Sequence, residues 1–278
     1  MYRLRYHVLI IIMAHLFVMP LQAGAQNFVE SFRQGKIDWS NGIAEAVGLR
    51  RPPEKSENPA QARAVAKSDA VHSARSNLLE VVGRVRIDSK TVVGDLLKRN
   101  ESIRSKILDL LKKARVVDLS YHRDGSVHAA VAIELDENFK KLVLPGEIRH
   151  IEPIKSSQPL NGSGKEVYTG LVVDSRGSGI KCALVPRVLD EEGHVVYGPA
   201  YASRDYAVQK GMALYVADIK TAGVNPRVAN RPLTVKGIRA AKEAQADIVI
   251  SNADASKIRG SAGNLNFLQK CRVVIVLE

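Results

Sequence analysis

Two glycine-rich turns come closest to phosphate chemistry. In Gly162-Ser163-Gly164-Lys165 the small residues and the lysine suit a loop that cradles phosphate. Glu166, however, stands where Ser or Thr must hold Mg²⁺, and Pro159 occupies the place of the first glycine. Asp174-Ser175-Arg176-Gly177-Ser178-Gly179 begins like a dinucleotide turn, but Cys182 takes the third glycine position, where a side chain prevents close helix packing. That segment reads as a loop between strands. His72, His122, His128, His150 and His194 contain no H-x-x-x-H or H-E-x-x-H spacing, so no metal ligands are assigned. No G-x-S-x-G elbow is present. Glu191-Glu192 lies in a turn, where solvation explains the pair better than acid–base work. No residue is assigned a catalytic, cofactor-binding or metal role; neither an enzyme nor a cofactor is expected.

Cys182 and Cys271 sit in separate apolar runs. In an exported chain an even count favours one bridge, which would close an 89-residue loop and stabilise by about 4.5 kcal/mol at most. The alternative is a pair of small buried hydrophobes. One basic run stands out: Lys220, Arg227, Arg231, Lys236, Arg239 and Lys242 occur with no acidic residue between the first and the last. Gathered on one face they would hold an anionic wall polymer or lipid head group; the alternative is a solvated loop.

Export follows from residues 1–25. Arg3 and Arg5 precede an apolar run from Val8 to Met19 broken only by His15, then come Pro20, Ala23 and Ala25. This is the order of a signal peptide, with a mature chain from Gln26. The run is too short for a stable span, and no Cys follows to carry lipid. The expected location is the periplasm or the periplasmic face of the outer membrane. Removing Arg3 and Arg5 takes the net charge from +12 to +10. Such a charge usually suggests nucleic acid, but export and an aromatic content of 5% with one Trp argue against that partner.

The elements that would position any site divide into two sets. Asn58-Pro59 opens a helix as N-cap and first position. Ala62, Ala66, Ala70, Ala74 and Leu78 then form a stripe of mostly small residues, suited to close packing on a sheet. Val85, Ile87 and Val93 alternate with polar residues across 81–93, the period of a strand. A second helix is expected over 94–114, followed by strands 116–121 and 127–135 joined through Asp124-Gly125. Pairing centred on that dipeptide sets His122 opposite Val127 and His128 opposite Tyr121, on opposite faces. Pro, Gly and Ser crowd residues 145–164, which read as a linker. Beyond it, strands are expected over 167–174, 181–189, 194–197, 212–219, 233–236 and 246–251, with a capped helix at 252–259. The Val-rich run 271–277 should lie in the middle of a sheet.

Over residues 40–140 the chain resembles the LPP20-like envelope family, which includes the N-terminal domain of a flagellar basal-body assembly protein. The resemblance rests on the Ala-rich helix running into Asn77-Leu78-Leu79, on residues 83–91, and on Asp124-Gly125-Ser126-Val127 before an apolar strand. It implies an exported, non-enzymatic protein, often lipid-anchored to the outer membrane, with flagellar assembly among the implied roles. This chain lacks the lipid-bearing Cys, and no functional residue carries over. The expected class is α+β, with two small domains at 26–144 and 165–278, each an antiparallel or mixed sheet with helices on one face. The expected role is docking to other envelope proteins. An anionic wall or lipid component is the alternative ligand, and a periplasmic hydrolase with a site between the domains is the second alternative.

Overall fold

The computed structural model describes residues 27–53, 58–148, 168–241, 244–260 and 262–278. The expected signal peptide, the Gly162–Lys165 turn, His150, Lys242 and most of the expected linker lie outside the described residues.

A meander of β1 (Val29–Phe32), β2 (Gly35–Asp38) and β3 (Ile43–Arg50) leads into α1 (Pro59–Gly83). Asn58 caps α1 as expected, its Oδ1 accepting from the N–H groups of Ala60 and Gln61 at 3.0 and 3.3 Å. The stripe Ala62, Ala66, Ala70, Ala74 and Leu78 is buried. Close packing requires small residues on both sides: a Cβ on Gly48 of β3 would stand 2.3 Å from the Ala70 carbonyl oxygen.

Residues 84–92 depart from the expected strand. Val81 and Val82 still belong to α1, and the alternating Val85 and Ile87 lie in a turn closed by one bridge, Arg86 to Val92. Their burial alternates because this turn is held against the second half: Leu184 N–H donates to the Arg86 carbonyl at 2.9 Å and Val185 N–H to that of Ile87 at 2.8 Å. The expected second helix is two, α2 (Val93–Arg99) and α3 (Glu101–Lys112). Asn100 divides them, its extended backbone ending one helix while its side chain accepts from Ile103 N–H at 3.0 Å and caps the next.

The hairpin forms as β4 (Arg115–Tyr121) and β5 (Val127–Glu134), followed by α4 (Glu137–Val143). Its register is one residue from the expected one: Tyr121 pairs with Val127 and Ser120 with His128. His122 N–H donates to Ser126 at 2.9 Å, so the loop is Arg123-Asp124-Gly125, with Gly125 at φ 81°. An odd loop reverses the face parity of one strand. His122 and His128 consequently lie on the same face, ring centroids 6.4 Å apart. The first sheet is antiparallel throughout, in the order β1-β2-β3-β5-β4, and α1 crosses it at β3 and β5.

The second half contains β6 (Gly170–Asp174), β7 (Arg187–Leu189), β8 (Val195–Tyr197), α5 (Arg204–Lys210), β9 (Leu214–Val216) and α6 (Ile219–Gly223). It continues with β10 (Pro232–Ala241), β11 (Ala244–Ile250), α7 (Asn252–Arg259), α8 (Ala262–Gln269) and β12 (Val273–Val276). The sheet order is β8-β7-β11-β10-β6-β12-β9, with parallel and antiparallel pairs mixed. β12 lies between β6 and β9 with all its residues buried, as its Val-rich sequence requires. Leu171, Val173 and Ile275 face a core completed by α5, α7 and α8; Val172, Val274 and Val276 face a smaller cluster under α6. The class is α+β, one antiparallel and one mixed sheet, with α6 as a short addition to the second face of the latter. The two halves share one continuous buried cluster. At their junction Trp39 meets Tyr215 edge-on at 6.0 Å, and Ser40 Oγ donates to the Tyr215 carbonyl at 2.7 Å.

Candidate functional site: the cleft between the sheets

A cleft of about 250 Å³ lies at that junction. Its walls are the β2–β3 turn from Trp39 to Gly42, the β5–α4 corner with Leu135 and Asp136, Lys140 of α4, Ala183-Leu184, and the chain from Lys210 to Tyr215. Each wall has a local cause. Asp38 accepts from Asn41 N–H at 2.9 Å and shapes the turn. Asp136 caps α4 by accepting from Phe139 N–H at 3.0 Å, which sets Lys140 one helical turn further on. Gly211, at φ 75°, reverses the chain after α5 and aims it into β9.

The charges of the cleft are unequally partnered. Glu134 is bonded to Arg115 at 3.0 Å, and Asp136 is occupied with the α4 cap and with Asn138 at 3.2 Å. The Lys140 ammonium donates only to the Gln209 carbonyl, at 3.3 Å, and Lys210 lies over the Tyr206 ring at 5.9 Å. Neither forms an ion pair among the described residues. Behind them Arg227 is turned inward: Nε donates to the Cys271 carbonyl at 2.9 Å, Nη1 to Lys210 at 2.7 Å, and Nη2 to Gly211. Burial, reinforced by the Arg227 charge, lowers the Lys140 pKa from the usual lysine value. The Tyr215 hydroxyl is tied to both backbone groups of Ala183, at 3.0 and 2.8 Å, and burial raises its pKa well above the usual tyrosine value.

Other residues singled out in the sequence are dispersed. The Cys182–Cys271 bridge is not formed: both thiols are free and buried. Each is enclosed by its own neighbours. Cys182 lies near Tyr215 and Arg86, while Cys271 sits in a turn at φ 52° near Tyr197 and Arg227. Burial raises both thiol pKa values, which suppresses the thiolate. Of the basic run, one member leaves the surface and four are exposed among the described residues. Arg227 is an internal strut, while Lys220 on α6, Arg231 in the loop before β10, and Lys236 and Arg239 on β10 are exposed, Lys236 pairing with Asp174 at 3.5 Å. The glycine turn after β6 carries an Arg176–Asp174 pair at 2.8 Å, a loop as expected. Among the described residues no group of three or more His, Cys, Asp or Glu is arranged to hold a metal, and no helix is long and apolar enough to cross a membrane.

A second polar cluster fastens the halves together. Asp247, 1% exposed, accepts from Ser89 Oγ of the first half at 2.6 Å and from Arg187 Nε of the second at 3.0 Å. A site between the domains was expected only as the hydrolase alternative and without residues, because the members of this cluster and of the cleft lie far apart, Ser40 and Tyr215 by 175 residues. A lone Trp followed by Ser-Asn-Gly is the one local sign of a packed turn at the cleft.

No curated protein matches the chain. Residues 170–278 match a family model described as the second domain of Treponema pallidum Tp0624. The match opens on the first residue of β6 and takes in the whole of the second sheet, so it is this half of the molecule that is similar to that domain.

Proposed function

We propose that the protein is a non-enzymatic component of the cell envelope that works by docking to other envelope proteins. The observation that carries this reading is the face of the first sheet opposite α1. The pairing register puts Ile43, Glu45, Val47 and Leu49 of β3 beside Glu134, Ala132, Ala130 and His128 of β5 on that face. Among the described residues no helix covers it, and Leu49 is 54% exposed. Ion pairs run through it, Lys36–Glu45 at 3.2 Å between Ile43 and Val47, and Arg115–Glu134 at 3.0 Å at its end. Exposed apolar side chains interleaved with charged pairs match the mixed polar and apolar make-up of a non-obligate protein interface. At the neighbouring edge, Val116 and Val117 of β4 are about half exposed beside a bulge that guards against indiscriminate strand pairing. The leader and the LPP20-like resemblance support an envelope location and an assembly role, flagellar assembly among them.

Crosslinking and pull-down from envelope extract test the reading. The native protein should recover a defined partner at low and moderate salt, and Leu49→Glu combined with Val47→Lys should abolish recovery while circular dichroism stays native. Equal recovery by both proteins, or none by either, would reject it. Binding of an anionic polymer through the basic run is the weaker reading, since Arg227 is held by backbone carbonyls and Lys236 already pairs with Asp174.

A further inference from the structure

The cleft between the sheets combines apolar walls with two cations that form no ion pair among the described residues. At about 250 Å³ it falls just short of the roughly 300–1,000 Å³ that holds a drug-sized ligand, so its occupant is of amino-acid size. Leu184, Leu214 and the Trp39 ring line the apolar side, while Lys140 and Lys210 supply the charge. Glu134 and Asp136 share the lining but are occupied by Arg115 and by the α4 cap. Their negative charge at the rim disfavours a dianion and leaves room for a single one.

We propose that the cleft binds a compact monocarboxylate whose anionic end lies between Lys140 and Lys210 and whose apolar body lies against Leu184, Leu214 and Trp39. Inward-facing Arg227, with its guanidinium bonded to the carbonyls of Lys210, Gly211 and Cys271, adds positive potential from behind without competing for the ligand. The ligand supplies a directly bonded carboxylate, which is the electrostatic gain that selects an acid over a neutral analogue. The same chemistry is offered by a free organic acid and by the C-terminal residue of a polypeptide. The site does not depend on docking through the open sheet face, and changes at Leu49 should leave it intact.

The chain has one tryptophan, and it lines the cleft, so its fluorescence reports occupancy directly. The full chain is titrated with N-acetyl-L-leucine, N-acetyl-L-leucinamide and inorganic phosphate. The acid should give a saturable change, with the amide and phosphate each at least about tenfold weaker. Lys140→Gln should remove the preference for the acid while leaving the weak response to the amide, and Lys140→Arg should retain most of it. Equal affinity for acid and amide, phosphate as good as the acid, no saturable change with the acid, or an unchanged preference in Lys140→Gln would overturn the proposal. Within a positive result, a short peptide ending in leucine distinguishes the sources. Binding about tenfold tighter than the N-acetylated acid identifies a chain terminus; equal binding identifies a free acid.

Discussion

The two sheets of this protein bury their strands differently. In the first, α1 covers one face, and the other carries Leu49 half exposed among ion pairs. In the second, β6 and β12 are enclosed on both faces, Leu171 and Val173 in one cluster, Val172 and Val274 in another. The difference teaches where tolerance lies. A strand buried on both faces has no position that can accept charge, whereas a half-covered sheet keeps one face available for a partner.

Placing the same charge in both sheets is the strongest way to break this comparison. Val172→Glu should destabilise by about 4 kcal/mol or more, or prevent folding, because it buries a carboxylate among Val216, Ala222, Val228, Val274 and Val276. Urea unfolding with less than about 1 kcal/mol of change would show that the second face is not closed. Next comes Gly48→Val, which drives a side chain into the α1 backbone at a close approach of the covered face. A loss of about 3 kcal/mol is expected, and a neutral result would mean that α1 can move away.

A smaller effect concerns acid. Two hydrogen bonds from Arg176, at 2.8 and 2.9 Å, hold the Asp174 carboxyl at about 2, with Lys236 adding attraction. The folded value lies below the unfolded value of about 3.9, so this contribution is fully present above about pH 4 and is lost as pH falls through about 2. Asp174→Asn should flatten the acid limb of the stability curve by about 1–2 kcal/mol, Arg176 being partly exposed. Lys140 works in the opposite sense. Its lowered folded pKa means that the protonated form opposes folding, so stability should rise as pH increases through that value towards about 10.4. Lys140→Met should remove the rise. The smallest effect on stability is expected at Leu49→Glu, within about 0.5 kcal/mol, which would sharpen the comparison if partner recovery is nevertheless lost. Thiol chemistry gives an independent check: reductant should leave the melting temperature unchanged, and Cys182 and Cys271 should react with a thiol reagent only after unfolding.

Local patterns were readable where a few neighbouring residues decide the outcome. Asn58-Pro59 caps α1, the Ala stripe packs closely, and Asp124-Gly125 turns the hairpin between the expected strands. The hairpin register was not, because the loop takes three residues instead of two, and that single step moves His122 and His128 onto one face. The alternation of Val85 and Ile87 was also a true burial signal with a misleading period, since the partner that buries them is the segment at Leu184-Val185 and not a neighbouring strand.

By itself, the sequence determined the class of the fold, the starts of α1, α2 and α7 to within a residue, and the central place of the Val-rich strand β12. Capping, turn chemistry and hydrophobic period are short-range properties and act on a few residues at a time. Only the tertiary structure decided that Cys182 and Cys271 remain apart, that Arg227 turns inward, and that Trp39, Lys140 and Lys210 meet around one cleft. Those outcomes depend on how two sheets pack across more than a hundred residues of chain, where the burial of the whole interface outweighs the preference of any one segment.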